Sequence, residues 1–209
     1  MPGAFLFDGP ADARATVLLA HGAGAPMDSA SMAAVAAALG GAGLRVARFE
    51  FGYMARRRDA EGRQPPPRAE TLRPEYLAAI ASLDAEGPLI IGGKSMGGRI
   101  ATHIAAQGLD GVSGIVLLGY PLHPPGAPEK RRDAHLPDIT QPVLFVQGAN
   151  DPFGNEHEIA ALLPMMQKGT LRVIATGDHS LKVKGGATAQ QPAFDDAMDT
   201  VVGWIRGIA

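Results

Sequence analysis

Short runs of mostly apolar residues recur along the chain. They are residues 16–20, 44–49, 89–91, 115–118, 143–146 and 171–174. Runs of this length and composition are typical of strands that are buried on both faces of a parallel sheet. A further short run at residues 5–7 predicts an additional strand at the edge of that sheet.

Between these runs, apolar residues recur three and four positions apart, which predicts amphipathic helices. The helical spacing covers residues 32–39, 77–83, 99–106, 156–163 and 194–205. Strands that alternate with helices predict an α/β fold with a mostly parallel central sheet and helices on both faces. In such sheets the ligand site lies outside the carboxyl ends of the strands, so the loops at those ends are the candidates for chemistry.

One such loop joins the run at residues 89–91 to the next helix. Its sequence is Gly-Gly-Lys-Ser-Met-Gly-Gly at residues 92–98, which contains Gly-x-Ser-x-Gly around Ser95. This is the pattern of a nucleophile elbow, in which a tight turn strains the serine backbone and exposes its hydroxyl at the sheet edge. Side chains in place of Gly93 and Gly97 would crowd the flanking strand and helix.

Two other interpretations of this loop are open. It also ends like a phosphate-binding P-loop, Gly-x-x-x-x-Gly-Lys-Ser, but Pro88 occupies the position of the first glycine. Residues 89–91 would then be loop spacers although they have the character of a strand. A glycine-rich turn with an inactive serine fits the local sequence about as well as catalysis, so the interpretation depends on partners for Ser95 elsewhere.

Two candidate partners follow later apolar runs. Asp151 and His179 come after Ser95 in the order nucleophile, acid, base that α/β hydrolases use. His179 would accept the proton of Ser95, and Asp151 would hold the imidazole in the required tautomer. Alternatively, Asp151 begins a turn and caps the next helix, and His179 forms a surface pair with Asp178.

Backbone N–H groups from two loops are expected to stabilise an oxyanion. Met96 directly follows the serine, and Ala23 lies in the loop that begins at His21, so we expect the oxyanion hole at Met96 and Ala23. His21 is expected to hold that loop through hydrogen bonds rather than to react. Further residues near the strand ends are expected to line the pocket: His21, Gly22, Gly24, Tyr53, Lys94, Tyr120 and His123.

An arginine-rich segment lies in what the sequence predicts to be a long polar loop over residues 50–73. Its arginines are Arg56, Arg57, Arg58, Arg63 and Arg68. Charge runs of this kind are usually solvated. If the loop rims the site, the cluster would instead attract a substrate that carries a carboxylate or a phosphate.

Composition excludes several function classes. The chain has 209 residues, 46% of them hydrophobic, with a formal net charge of −2 and no cysteine. This predicts one domain over residues 1–209, and a charge near zero argues against nucleic-acid binding. Without cysteine, a thiolate metal site or a cysteine nucleophile is impossible, and no His-x-x-x-His spacing indicates a metal. We therefore expect neither a metal nor a cofactor.

Two further observations concern cofactors and membranes. Gly22-Ala23-Gly24 follows a strand, but the third glycine of a dinucleotide fingerprint would fall at Met27. No apolar run approaches the length that crosses a membrane, and the first residues lack a basic leader followed by a long apolar run. We expect a cytoplasmic protein with no membrane partner.

Several stretches together are similar to one family. They are residues 19–25, 51–54, 92–99, 118–126, 146–148, 151–154 and 177–180. From about Val17 to its C-terminus, the chain resembles small α/β hydrolases of the dienelactone-hydrolase-like group. It is most similar to the branch that also contains a subunit of the animal nonspecific-lethal chromatin complex. The resemblance implies an α/β-hydrolase sheet with a Ser95, Asp151 and His179 triad, and it fixes no substrate.

The expected function is cleavage of carboxylic esters through an acyl-enzyme on Ser95, with a small-molecule ester as substrate. A thioesterase or a peptidase with the same triad is an alternative. A non-catalytic protein-interaction module is another, because some relatives serve as scaffolds. Residues 120–142 are too few for a cap domain, so we expect a shallow, open site that favours small acyl groups. The sequence does not fix the oligomeric state.

Overall fold

The computed structural model describes residues 5–59 and 66–209. The strands of this part are β1 (Leu6–Asp8), β2 (Thr16–Ala20), β3 (Arg45–Phe49), β4 (Leu89–Lys94), β5 (Gly114–Leu118), β6 (Val143–Gly148) and β7 (Gly169–Ile174). They form one sheet in the order β1-β3-β2-β4-β5-β6-β7. Only β1 is antiparallel to its neighbour, as a short strand at the edge. The predicted mostly parallel sheet is confirmed.

The helices are α1 (Ala30–Gly41), α2 (Gly52–Asp59), α3 (Arg73–Ser82), α4 (Met96–Ala105), α5 (Glu156–Ala160) and α6 (Gly186–Ile208). Short 3-10 helices lie at Ala69–Leu72, Leu136–Asp138 and Leu163–Met165. Helix α5 ends earlier than the predicted range of 156–163. Pro164 lacks the N–H that a continuing helix needs, and a 3-10 turn forms there instead.

Helices cover both faces of the sheet. Alternate residues of each strand point to opposite faces, as Val17 and Leu18 of β2 do. Val17 belongs to the core that α1 and α6 cover, whereas Leu18 belongs to the core under α3, α4 and α5. The crossover from β2 to β3 runs in one direction along the sheet, and the later crossovers from β3 to β7 run in the opposite direction. Because crossovers are right-handed, α1 lies on one face and α3, α4 and α5 lie on the other.

The segment predicted as a polar loop over residues 50–73 is different in the structure. Its described part forms α2 and the 3-10 helix at Ala69–Leu72. Met, Ala and Arg favour helix, and the Glu75 carboxylate accepts a hydrogen bond from the N–H of Gly52 at the start of α2 (2.6 Å). The prediction failed because these residues have no apolar periodicity. Arg63 lies outside the described residues.

The strand register brings the carboxyl ends of the parallel strands to one edge. Gly93 of β4 pairs with Ala20 of β2, and Lys94 pairs with Leu118 of β5. Gly148 of β6 pairs with Ile174 of β7. The loops that carry the candidate catalytic residues therefore all leave the sheet at this edge.

Between β5 and β6, the only regular element is the 3-10 helix at Leu136–Asp138, in a segment that the structure describes completely. The predicted absence of a separate cap domain is thus confirmed. None of the described helices is both long and apolar enough to pass through a bilayer.

Candidate active site

Ser95 lies at the junction of β4 and α4 in a strained conformation. Its φ is 51° and its ψ is −113°, a region that residues other than glycine rarely adopt. Its N–H donates to the carbonyl of Leu118 (3.0 Å), which ties the turn to the neighbouring strand. A Cβ at Gly97 would lie 2.4 Å from the carbonyl oxygen of Ala20, so only glycine lets α4 begin this close to β2.

A chain of hydrogen bonds joins Ser95 to two residues that are distant in sequence. His179 Nε2 lies 2.8 Å from Ser95 Oγ, and His179 Nδ1 lies 2.8 Å from Asp151 Oδ2. A carboxylate only accepts hydrogen bonds, so Nδ1 carries the proton and donates it to Asp151. Nε2 is then left as the acceptor for the serine hydroxyl, which is the arrangement that a general base requires.

The carboxylate of Asp151 is buried and held in one orientation. Its Oδ1 accepts from the N–H of Phe153 (2.8 Å), and its Oδ2 accepts from Nε2 of Gln147 (2.9 Å) as well as from His179. Gln147 is itself fully buried and also donates to the carbonyl of Gly154 (2.7 Å). The local sequence indicates no role for Gln147 or Phe153, because Gln147 extends an apolar strand and Phe153 follows a turn.

The loop at residues 21–25, which carries the predicted oxyanion donor Ala23 and which we call the oxyanion loop, is held in place by His21. The imidazole is fully buried, and Nε2 accepts from the N–H of Phe51 (3.1 Å), so the proton resides on Nδ1 and is donated to the carbonyl of Gly22 (2.7 Å). Burial lowers the pKa of His21, which keeps it neutral. In a trans peptide the C=O and N–H point in opposite directions, so this bond turns the N–H of Ala23 away from His21.

Helix geometry leaves the N–H of Met96, the other predicted oxyanion donor, free of a partner within α4. Met96 is the first residue of α4, where a backbone N–H has no acceptor within the helix. A Cβ at Gly22 would lie 3.7 Å from Cβ of Ser95, so the loop that carries Ala23 runs directly beside the serine. The predicted oxyanion residues thus flank Ser95 on two sides.

Comparison with known families agrees with this arrangement. The family described as "Alpha/beta hydrolase domain" matches residues 13–206. The chain belongs to this alpha/beta hydrolase family. The match spans every strand from β2 to β7 and each of the loops described above.

Solved structures share the fold of this alpha/beta hydrolase. An alpha-beta serine hydrolase homologue from Coxiella burnetii has a TM-score of 0.71 at 16% identity and covers 98% of this chain and 91% of its own. Est1E from Butyrivibrio proteoclasticus has a TM-score of 0.69 at 16% identity, covering 97% and 94%. Dienelactone hydrolase from Anabaena variabilis has a TM-score of 0.69 at 24% identity, covering 91% and 88%.

A cavity of about 620 Å³ opens beside Ser95 and His179 in this alpha/beta hydrolase. Of the residues predicted to line the pocket, Gly22, Gly24 and Lys94 lie in its wall. The wall also contains Arg68, which belongs to the arginine-rich segment that could rim the site. Three further charged residues of the wall were not connected with Ser95 by the sequence: Glu70, Arg99 and Arg132. Arg99 forms an ion pair with Glu70.

Four residues predicted to line the pocket lie behind its described wall instead, and the expectation is corrected for them. His21 and Tyr120 are almost wholly buried, and the hydroxyl of Tyr120 donates to the carbonyl of Arg132 (2.6 Å). Tyr53 packs under the oxyanion loop, where its hydroxyl donates to the carbonyl of Ala23 (3.2 Å). His123 lies against Glu158, with Nε2 3.0 Å from the carboxylate.

The arginine cluster of α2 does not lie in the described cavity wall either. Arg58 forms paired hydrogen bonds to the carboxylates of both Glu50 and Asp28. Arg57 lies over the ring of Tyr53, and Arg56 is exposed. The positions of Arg56, Arg57 and Arg58 therefore do not support the attraction of an anionic substrate by these three residues, whereas Arg68 of the same segment lies in the cavity wall. Within the described residues, no group of three or more potential ligands from His, Cys, Asp and Glu is arranged to hold a metal ion.

Lys94 precedes the serine and supports the histidine loop. Its ammonium donates to the backbone carbonyl of His179. Burial lowers the pKa of Lys94 to about 8, and the carboxylates of Asp151 and Asp178 offset this only in part. The folded protein therefore holds this proton less tightly than the unfolded chain does.

The buried ammonium makes stability depend on pH in a defined direction. As the pH rises from about 8 to the ordinary lysine value of 10.5, the folded state releases the proton first, so stability increases. We expect the free energy of unfolding of the wild type, relative to Lys94→Met, to rise over this range by at most about 1.4 kcal/mol per pH unit. Urea unfolding at several pH values measures the difference. Lys182→Met, at an exposed position, is the control. If the stability difference from the wild type were as independent of pH for Lys94→Met as for Lys182→Met, the lowered pKa of Lys94 would be contradicted.

Proposed function

We propose that this alpha/beta hydrolase is a serine hydrolase that cleaves carboxylic esters through an acyl-enzyme on Ser95. The observation that carries the proposal is the continuous chain of hydrogen bonds from Ser95 Oγ through His179 to Asp151. The open cavity beside Ser95 supports it as a place for the substrate. The finer resemblance to the branch with a chromatin-complex subunit stays a prediction.

Acylation follows from the positions of the three side chains. Ser95 Oγ attacks the ester carbon while its proton passes to His179 Nε2, and Asp151 stabilises the imidazolium that forms. The carbonyl oxygen becomes an oxyanion that accepts hydrogen bonds from the N–H groups of Met96 and Ala23. When the C–O bond to the alcohol breaks, His179 returns the proton to the leaving oxygen.

Deacylation reverses these roles with water. His179 Nε2 accepts a proton from a water molecule as its oxygen attacks the acyl carbon, and the second oxyanion uses the same two N–H groups. The acid is released when the bond to Ser95 Oγ breaks and that oxygen recovers the proton from His179. Acid and base are supplied by the chain itself, and no step requires a cofactor.

Two alternatives to an esterase use the triad, and a third does not need it. A thioesterase or a peptidase would use the same triad, and the geometry does not separate them from an esterase. A non-catalytic interaction module would not need Ser95 in a conformation that costs stability, so the strained backbone favours catalysis. A cytoplasmic location and the lack of nucleic-acid and membrane partners stay predictions.

A fluorophosphonate probe tests the proposal directly, because it forms a covalent bond with an activated serine. We expect the wild type to be labelled and Ser95→Ala to remain unlabelled. Ser180→Ala is the matched control, since Ser180 also lines the cavity beside the histidine, and it should be labelled like the wild type. An unlabelled wild type would favour the interaction module. Rates on a butyryl ester, thioester and anilide then distinguish the three hydrolase classes.

A further inference from the structure

A second cavity lies on the face of the sheet that α1 and α6 cover. Its volume is about 800 Å³, which is within the range of small-molecule sites. One wall is formed by residues of α1, the opposite wall by the first half of α6, and one end by the loop that follows His179. We call this cavity the α1–α6 groove.

The interior of the α1–α6 groove is mainly apolar. Val35 and Phe194 provide apolar surface from opposite sides, and the small side chains of Ala34, Ala38 and Ala187 leave the space open. Of the charged residues in the groove wall, Lys94 is engaged with the carbonyl of His179, and Lys182 and Asp195 are exposed to solvent. The groove therefore fits a hydrocarbon better than a polar ligand.

The groove adjoins the cavity beside the triad. Ser31, Met32, Lys94 and Ser180 line both cavities. Lys94 directly precedes Ser95, and Ser180 directly follows His179 in the chain. The two cavities therefore meet beside the triad, which places the groove within reach of a chain attached to the reacting ester group.

The wall of the groove has an unusual backbone next to Ser180. Leu181 has a φ of 61°, a left-handed conformation that is unfavourable for a branched residue. The conformation is held by neighbours: the Asp178 carboxylate accepts from the N–H groups of Ser180 and Lys182, and the Gln190 amide donates to the carbonyl of Leu181. Strain that is maintained in this way is commonly found at binding sites.

We propose that the α1–α6 groove binds an unbranched alkyl chain of the ester substrate. This inference rests on the proposed ester hydrolysis and specifies its substrate class. It replaces the expectation from sequence that the site favours small acyl groups. The missing cap domain suggested a shallow site, but the groove runs between two helices and does not need a cap.

Two matched series of substrates measure the effect and identify which end of the ester carries the chain. One series comprises p-nitrophenyl esters from acetate to decanoate, and the other comprises alkyl acetates from ethyl to decyl. We expect kcat/KM to rise with chain length in one series by up to about fourfold per methylene, which corresponds to 0.8 kcal/mol of transfer free energy. If kcat/KM did not change with chain length in either series while acetate was still hydrolysed, binding of the alkyl chain in the groove would be refuted and the proposed function would stand.

Tryptophan substitutions test whether the chain lies in this groove. Ala34→Trp and Ala187→Trp fill it from opposite walls, and both positions are exposed, so the fold should tolerate them. We expect each to lower kcat/KM on the longest substrate of the responsive series by at least about tenfold, and on the acetate by less than about twofold. Ala37→Trp, exposed on α1 outside the described groove wall, is the control and should match the wild type.

Binding of decanoate, which carries an alkyl chain but no ester, tests the groove even if the protein hydrolyses none of these esters. Calorimetric titration of Ser95→Ala with decanoate should show saturable binding that Ala34→Trp abolishes and Ala37→Trp retains. Equal binding of decanoate by the two tryptophan variants, or no binding by Ser95→Ala itself, would refute the proposal that the groove binds the alkyl chain. Failed fluorophosphonate labelling together with groove-dependent binding would refute the proposed hydrolysis instead.

Discussion

Replacing Ser95 by alanine is expected to lower kcat on a p-nitrophenyl ester by about 10⁶-fold, because it removes the hydroxyl that is hydrogen-bonded to His179. Asp151→Asn is expected to cost about 10⁴-fold. An asparagine has one acceptor oxygen, whereas Asp151 accepts hydrogen bonds from Phe153, Gln147 and His179. An amide NH₂ facing His179 would move the imidazole proton to Nε2, where it can no longer accept the proton of Ser95.

The readout is single-turnover and steady-state kinetics on a substrate that the wild type cleaves. Unfolding temperatures of the two variants should stay near that of the wild type, which separates lost chemistry from lost structure. Ser180→Ala, with a hydroxyl removed from the same cavity, should retain wild-type kcat within a factor of about three. Residual activity within about tenfold of the wild type in Ser95→Ala would contradict the acyl-enzyme.

The glycines of the elbow are expected to be the most sensitive positions for stability. A Cβ at Gly97 would lie 2.4 Å from the carbonyl oxygen of Ala20, and at Gly93, where φ is 153°, it would lie 2.2 Å from the same oxygen. We expect Gly97→Ala to lower the free energy of unfolding by about 3 kcal/mol, because β2 and α4 must separate. Gly93→Ala should cost at least as much, since backbone strain adds to the overlap.

Gly203→Ala provides the matched control for these substitutions. Gly203 is exposed within α6, and a Cβ there meets no described atom within 4 Å. Alanine should raise stability by about 0.5–1 kcal/mol, because glycine is entropically costly inside a helix. Urea unfolding gives all three values. If Gly97→Ala were as stable as Gly203→Ala, the close approach of α4 to β2 would be wrong.

Local sequence patterns predicted those strands and helices whose own residues show an apolar periodicity. The apolar runs predicted six strands; the inner strands are buried on both faces, whereas β7 at the sheet edge is only partly buried. The strands then place the loops of Ser95, Asp151 and His179 at one edge. Helix α2 was missed because its residues carry no apolar periodicity and its first turn is capped by Glu75, which lies 23 positions away.

The errors at the site have a common cause. Attraction of an anionic substrate by Arg58 was the alternative to a solvated loop, but the charge of Arg58 is compensated by Glu50 and Asp28. The cavity wall contains Arg68 of the same segment, with Arg99 and Arg132 from other segments. Gln147 orients Asp151 from inside an apolar strand, where local sequence shows only one polar residue among many apolar ones. Nothing in the local pattern indicates which distant groups a side chain will meet.

The sequence by itself determined the parallel sheet, the edge at which its loops meet, and the identity and order of the three candidate catalytic residues. These depend on periodicity and short motifs, which are local. Only the tertiary structure decided the tautomers of His21 and His179, the residues that hold Asp151, the charges that face the cavity, and the α1–α6 groove. Each of these depends on contacts between groups far apart in the chain, such as Ser95 and His179 at a separation of 84 residues, and such contacts are fixed by packing.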